Sequence, residues 1–152
     1  MKQVLTAAEV TQNYNALIAP FIPPTNINLT SNTISETSSI GSVIGTLSAV
    51  DSDTSSSSLT FSFTSSGDSS DDDNGSFTIS GTTLLTSTTL DYETKTSYNI
   101  YINVSDGNNT FSKAFTITVN DINEPPKITS TTLASNNATV SVTFSELVYG
   151  GS

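Results

Sequence analysis

The residues able to do chemistry in this chain are carboxylates. Leu90-Asp91-Tyr92-Glu93 places two acids two positions apart, flanked by a leucine and a tyrosine of the kind a core takes in. Glu36 and the pair Asp51/Asp53 are two further acidic stations upstream. Asp106 opens the string Asp106-Gly107-Asn108-Asn109, and Asp121 precedes Asn123 and Glu124. Two carboxylates about 4 Å apart repel by roughly 1 kcal/mol in water and about four times that at an effective dielectric of 20. Four or five gathered together would oppose a large part of the about 5 to 15 kcal/mol that holds a typical domain folded. A divalent cation removes the conflict. Calcium is the expected ion, because it takes about six to eight oxygens in flexible geometry while magnesium demands a tighter octahedron and keeps its water.

Whether these acids meet depends on the strands between them. Alternating apolar residues mark seven. Ile27, Leu29 and Ile34 lead to Glu36; Val43-Ile44, bracketed by Gly41 and Gly45, run on through Leu47 and Val50; Leu59, Phe61 and Phe63 form the third. Phe77 and Ile79 follow, then the Ser80-Gly81 turn and Leu84-Leu85. The last two alternate Tyr98, Ile100, Ile102, Val104 and Phe111, Phe115, Ile117, Val119 across the hairpin signal at residues 106–109. Such a pattern predicts an all-β fold, a seven-stranded Greek-key immunoglobulin-like β-sandwich of two antiparallel sheets, although the cysteine pair and tryptophan of true immunoglobulin domains are absent.

Strand direction then sorts the acids. If successive strands run up and down, connections after the first, third, fifth and seventh emerge at one end, here the C-terminal pole. That sends Glu36, the loop with Asp68, Asp71, Asp72 and Asp73, the Asp91/Glu93 pair, and Asp121 with Asn123 and Glu124 to the C-terminal pole. Asp51, Asp53 and Asp106 go to the opposite, N-terminal pole. Asp71 to Asp73 read as consecutive acids on a solvated loop. Tyr92 and Tyr98 read as the edge of the core.

Composition narrows the function. The chain has 152 residues, 34% of them hydrophobic, room for one core. Fourteen acids against four lysines give a net charge of −10, which opposes binding to nucleic acid or to an anionic membrane surface. Without cysteine or histidine there is no disulfide, thiolate or imidazole, so zinc, iron and copper lose their usual ligands. Serine and threonine make up roughly a third of the chain, suiting strands with hydroxyl faces. No apolar run approaches the roughly 20 residues that cross a bilayer, and Met1-Lys2 leads into no signal peptide; an exported chain of this sequence would be a fragment without its signal.

At the front, Thr6-Ala7-Ala8-Glu9 is a capping box that predicts a short helix over about residues 6–13. Leu5 to Ala16 resembles the closing segment of laminin-G-like, concanavalin-type lectin domains. Pro20, Pro23 and Pro24 read as a stiff linker. Beyond Pro126, Ile128, Leu133, Val140, Val142 and Phe144 alternate, and the segment resembles the opening hairpin of bacterial immunoglobulin-like repeats with a Val-Thr-Phe-Ser-Glu string. The expected division is a lectin-like tail over 1–19, linker over 20–25, the sandwich over 26–124, and a linker with a truncated further repeat over 125–152.

Six strings in order resemble a cadherin repeat, of a prokaryotic type, over about residues 25–126: Glu36, Ala49-Val50-Asp51-Ser52-Asp53, Asn74-Gly75-Ser76-Phe77, Leu90-Asp91-Tyr92-Glu93, Val104-Ser105-Asp106 and Asp121-Ile122-Asn123-Glu124-Pro125. The resemblance implies that Glu36, Asp91, Glu93, Asp121 and the carbonyl of Asn123 ligate calcium at the C-terminal pole. It implies that Asp51, Asp53 and Asp106 form a half-site at the other. Two departures stand out. The family linker reads D-x-N-D-N, whereas Glu124 and Pro125 replace its last two residues, which removes one or two ligands from the three-calcium pattern. Upstream, Pro23-Pro24-Thr25-Asn26 brings no acid to the N-terminal half-site.

The expected function is a non-enzymatic, calcium-binding extracellular adhesion module of a modular surface or secreted protein, including one whose parent is membrane-associated. Its partners would be neighbouring domains of the parent chain and a homophilic or heterophilic adhesion partner or polysaccharide, with no nucleic acid and no direct membrane insertion. A carbohydrate-binding accessory module is the alternative. Glycosidase chemistry needs two carboxylates in a cleft, and acids at sandwich poles do not supply one.

Overall fold

The computed structural model describes residues 4–11, 22–123, 125–135 and 139–144. Residues 1–3, residues 12–21, Glu124, residues 136–138 and residues 145–152 lie outside them, and with them most of the lectin-like tail, the second linker acid and the end of the Val-Thr-Phe-Ser-Glu string.

Eight strands make the sandwich: β1 (Asn26–Leu29), β2 (Thr33–Ser35), β3 (Val43–Val50), β4 (Thr60–Phe63), β5 (Phe77–Ser80), β6 (Thr83–Thr86), β7 (Ser97–Ser105) and β8 (Thr110–Asn120). One sheet has the order β1-β3-β6-β5 and the other β2-β8-β7-β4. The alternating residues face inward as their period requires. Ile27, Ile44, Leu47, Leu84, Ile100, Ile102, Val104, Ile117 and Val119 form one buried cluster with Leu59, Phe77, Leu90 and Tyr98, and Tyr92 packs against it. Phe77 and Tyr98 meet edge to face at 5.7 Å.

The first expected strand is two. β1 pairs antiparallel with β3, after which the chain crosses to the other sheet, where β2 pairs parallel with β8. Thr30 holds the crossing, its amide donating to the Thr46 carbonyl (3.1 Å) and its hydroxyl accepting from the Thr46 amide (2.8 Å). Gly45 makes room for it. A Cβ there would lie 2.7 Å from the Ser31 carbonyl oxygen and 2.9 Å from the Ser31 nitrogen, and the β3–β6 register shifts at the same point.

At the start of the sandwich, Pro24 is fully buried and the Thr25 amide donates to the Val50 carbonyl (2.9 Å), so main-chain pairing with β3 begins inside the Pro-rich segment. Residues 7–11 form a short helix closed by the expected box: the Thr6 amide donates to Glu9 Oε2 (2.7 Å) and the Glu9 amide to Thr6 Oγ1 (3.2 Å). β9 (Ile128–Leu133) and β10 (Val140–Phe144) pair antiparallel as a hairpin whose side chains are all exposed.

Candidate metal centre

No described acid lies within a strand, yet Glu36, Asp51, Asp106 and Asp121 each directly follow a strand's last residue. Strand ends are thus where the negative charge collects. The up-and-down order carries Glu36 and Asp121, after the parallel pair β2 and β8, to the end where the β6–β7 connection brings Glu93. One carboxylate oxygen from each of Glu36, Glu93 and Asp121 lies within 4.8 Å of the others. Oxygens that share a calcium ion at 2.3–2.6 Å can stand no more than about 5 Å apart, so the spacing fits a common ion.

Glu36 is the keystone of this pole. Its Oε1 accepts from the Ile122 amide (2.6 Å) and its Oε2 from the Tyr92 amide (2.9 Å), tying the end of β2 to the segment after β8 and to the β6–β7 turn. Those amides, Ile122 first, hold its carboxyl below the usual carboxylate range against partial desolvation. Glu93 goes the other way. A hydrogen bond from its own main chain lowers its pKa, but desolvation, the charge of Glu36, a side-chain hydrogen bond with Asp91 and the charge of Asp121 outweigh it and raise the group above its ordinary value. Lys95, two positions on, does not relieve this pole, because its ammonium pairs with Asp73 and lies 4.8 Å from the Tyr98 ring centre.

Asp91 lies beside the trio rather than within it. Its Oδ2 accepts from the Thr94 hydroxyl (2.6 Å) and its Oδ1 from the Glu93 amide (3.2 Å), which shapes the turn that presents Glu93 and lowers its own pKa, the Thr94 bond contributing most. Asn123 is exposed two residues past Asp121.

At the N-terminal pole, Asp51 Oδ1 accepts from the amides of Asp53 (3.0 Å) and Thr54 (3.1 Å). Its Oδ2 is buried with no hydrogen-bond partner. A carboxylate oxygen shut away from water without a donor is costly, and a cation is what such an atom fits. The Asp53 amide contributes most to lowering the Asp51 pKa, while desolvation and the Asp106 charge oppose it. Asp106 is itself held low, first by the Asn109 amide and then by that of Asn108, both 2.6 Å from its Oδ1. Asp53 turns outward to accept from the Ile22 amide (2.9 Å), a main-chain partner from a segment that brings no acid.

Asp73 overturns the expectation of a solvated loop. Besides pairing with Lys95 it accepts from the Asn99 amide (2.8 Å), and its side chain is only 13% exposed. It fastens the β4–β5 loop to the start of β7. Asn74 continues the seam, donating to the Thr64 carbonyl (3.0 Å) and accepting from the Tyr101 amide (2.9 Å).

The sequence profile of the cadherin domain matches residues 30–133. The chain belongs to the cadherin domain family. Solved cadherin structures share its fold. Human protocadherin-24 EC1-2 superposes with a TM-score of 0.57 at 18% identity, covering 82% of this chain and 61% of that one. The protocadherin gammaB4 extracellular domain gives 0.53 at 25% identity, covering 84% and 22%. A protocadherin gammaB7 EC3-6 cis-dimer gives 0.50 at 21% identity, covering 70% and 26%. The chain therefore spans between about a fifth and three-fifths of these structures. None of the curated proteins matches it. No helix among the described residues is long and apolar enough to cross a membrane.

Proposed function

We propose that this cadherin domain is a non-enzymatic extracellular module that binds calcium at its poles, the bound ion stiffening the junctions with neighbouring domains and so supporting adhesion. The convergence of Glu36, Glu93 and Asp121 carries the reading. Asp91 and the Asn123 carbonyl complete the C-terminal set; Asp51, Asp53 and Asp106 form the N-terminal half-site. The ion's part is charge neutralisation. The chain's own part is to hold the oxygens in place, Glu36 through two amides and Asp51 through two more. Residues 1–19 are assigned to a lectin-like neighbour and residues 125–152 to an immunoglobulin-like one. The adhesive partner is a second cadherin surface, as the gammaB7 cis-dimer exemplifies for its own chain.

Calorimetric titration of the chain with calcium, with thermal melts in calcium and in chelator, tests this. At a hundredfold excess over the dissociation constant, binding adds about 2.7 kcal/mol, or roughly 10 °C or more in Tm for a domain of this size. Identical melts in the two buffers would refute the proposal.

One feature favours the carbohydrate alternative. The outward face of the β2-β8-β7-β4 sheet carries serine, threonine and asparagine with a half-exposed Tyr101 at its centre and no charge. Glycan-array retention abolished by Tyr101→Ala would support it.

A further inference from the structure

Among the described residues, Lys113 is the single charged side chain within a strand. It sits opposite the buried Ile102 and so points into the sandwich. There its ammonium donates to the Ile27 carbonyl oxygen (2.8 Å) and to Asn26 Oδ1 (3.1 Å), and stands 5.3 Å from the Phe115 ring centre. An aliphatic residue would fill an inward strand position at lower desolvation cost. What the lysine adds is a bond between β1, the first strand of one sheet, and β8, the last strand of the other.

A second tie joins the same ends of the chain. In the parallel β2–β8 pair the Thr118 amide donates to the Asn32 carbonyl (2.8 Å) and the Glu36 amide to the Asn120 carbonyl (3.2 Å), while Asn32 Nδ2 donates to the Thr116 carbonyl (3.0 Å). β1, β2 and β8 all run from the N-terminal to the C-terminal pole. Tension applied through the two ends of the domain draws β1 and β2 back towards the first pole and β8 on towards the second. The bonds between them lie across the direction of pull, so they are strained together rather than opened one by one.

We propose that Lys113 and the β2–β8 pair form a tension latch, a device that resists unfolding when the domain is pulled as one link in a string of modules. The need for such a device rests on the modular reading above, but the latch itself requires no calcium, so it is tested in chelator. Failure there leaves the calcium reading standing, and an absent calcium effect leaves the latch standing.

The experiment is constant-force single-molecule unfolding of the full chain in chelator, held first by its termini. It is then held by cysteines introduced at Ser69→Cys and Thr82→Cys, on either side of β5, a path that bypasses β1, β2 and β8; the natural chain has no cysteine to compete. Lys113→Met should raise the unfolding rate about tenfold to a hundredfold under terminal pull, as expected for losing hydrogen bonds from a charged donor, and by clearly less through β5. Asn32→Ala, a milder change, should show the same selectivity at about twofold to tenfold. Equal acceleration in both geometries, or none under terminal pull, would overturn the latch.

Discussion

Glu36 and Glu93 contribute oxygens to the same trio, yet their surroundings predict opposite behaviour without calcium. Glu36 accepts from two main-chain amides, one at each carboxylate oxygen. A glutamine side chain in its place has one oxygen to satisfy one of them and would turn N–H groups on the other. Glu36→Gln should therefore lower Tm in chelator. Glu93 is held above its ordinary pKa by desolvation and its acidic neighbours, so Glu93→Gln removes repulsion and should leave the chelated Tm unchanged or higher. Both should weaken calcium binding by roughly tenfold or more, since affinity follows ligand charge. Melts in chelator beside calorimetric titrations separate the two effects, and a fall in chelated Tm for Glu93→Gln would contradict the assignment of its raised pKa. The trio was legible in the sequence because strand order alone decides which ends coincide. Asp73 was not, because an acid in a run of three looks solvated until Lys95 and Asn99, more than twenty positions away, are folded against it.

At the scale of elements, the divided first strand is the feature that pattern reading missed. Residues 26–35 hold no glycine or proline to announce a break, so Ile27, Leu29 and Ile34 read as one run. The break is caused elsewhere, by Gly45, whose missing side chain lets Ser31 pass. Gly45→Ala should cost roughly 1–3 kcal/mol, since the obstructing atoms are main chain and cannot swing aside. A thermal melt showing less than a few degrees of loss would mean that the crossing can shift. The β4–β5 loop makes a pH-dependent contribution. The Ser70 amide, with Ser70 and Ser66 side chains, lowers the Asp68 pKa, and the Ser66 hydroxyl, then Ser65, lowers that of Asp71. Folded-state values below the unfolded value of about 3.9 mean that this stability is present above that pH and is lost as pH falls through the lower, folded values. In chelator, replacing both with asparagine should flatten that acid limb of the stability curve, which urea titrations across pH 2–5 (approximately the carboxylate range) would register.

Across the sandwich, charge is segregated by geometry: apart from Lys113, the described strands carry uncharged side chains, and the acids wait at the ends. The nine residues of β7 separate the poles by about 30 Å at the usual rise per residue. That is several times the roughly 8 Å screening length at physiological salt, so charges at one pole scarcely influence the other. Sites so far apart with no shared ligand behave additively. Asp51→Asn should therefore weaken a calorimetric event at the N-terminal pole and leave the Glu36 pole's affinity unchanged, while Glu93→Gln does the converse and the double variant loses the sum. The N-terminal event should be the weaker in this chain, because Asp53 already accepts from Ile22 and the preceding proline-rich segment contributes no carboxylate. If Asp51→Asn alone displaced both events, the ions would have to be bound through one cooperative structure, and independent poles defined by strand direction would be the wrong description.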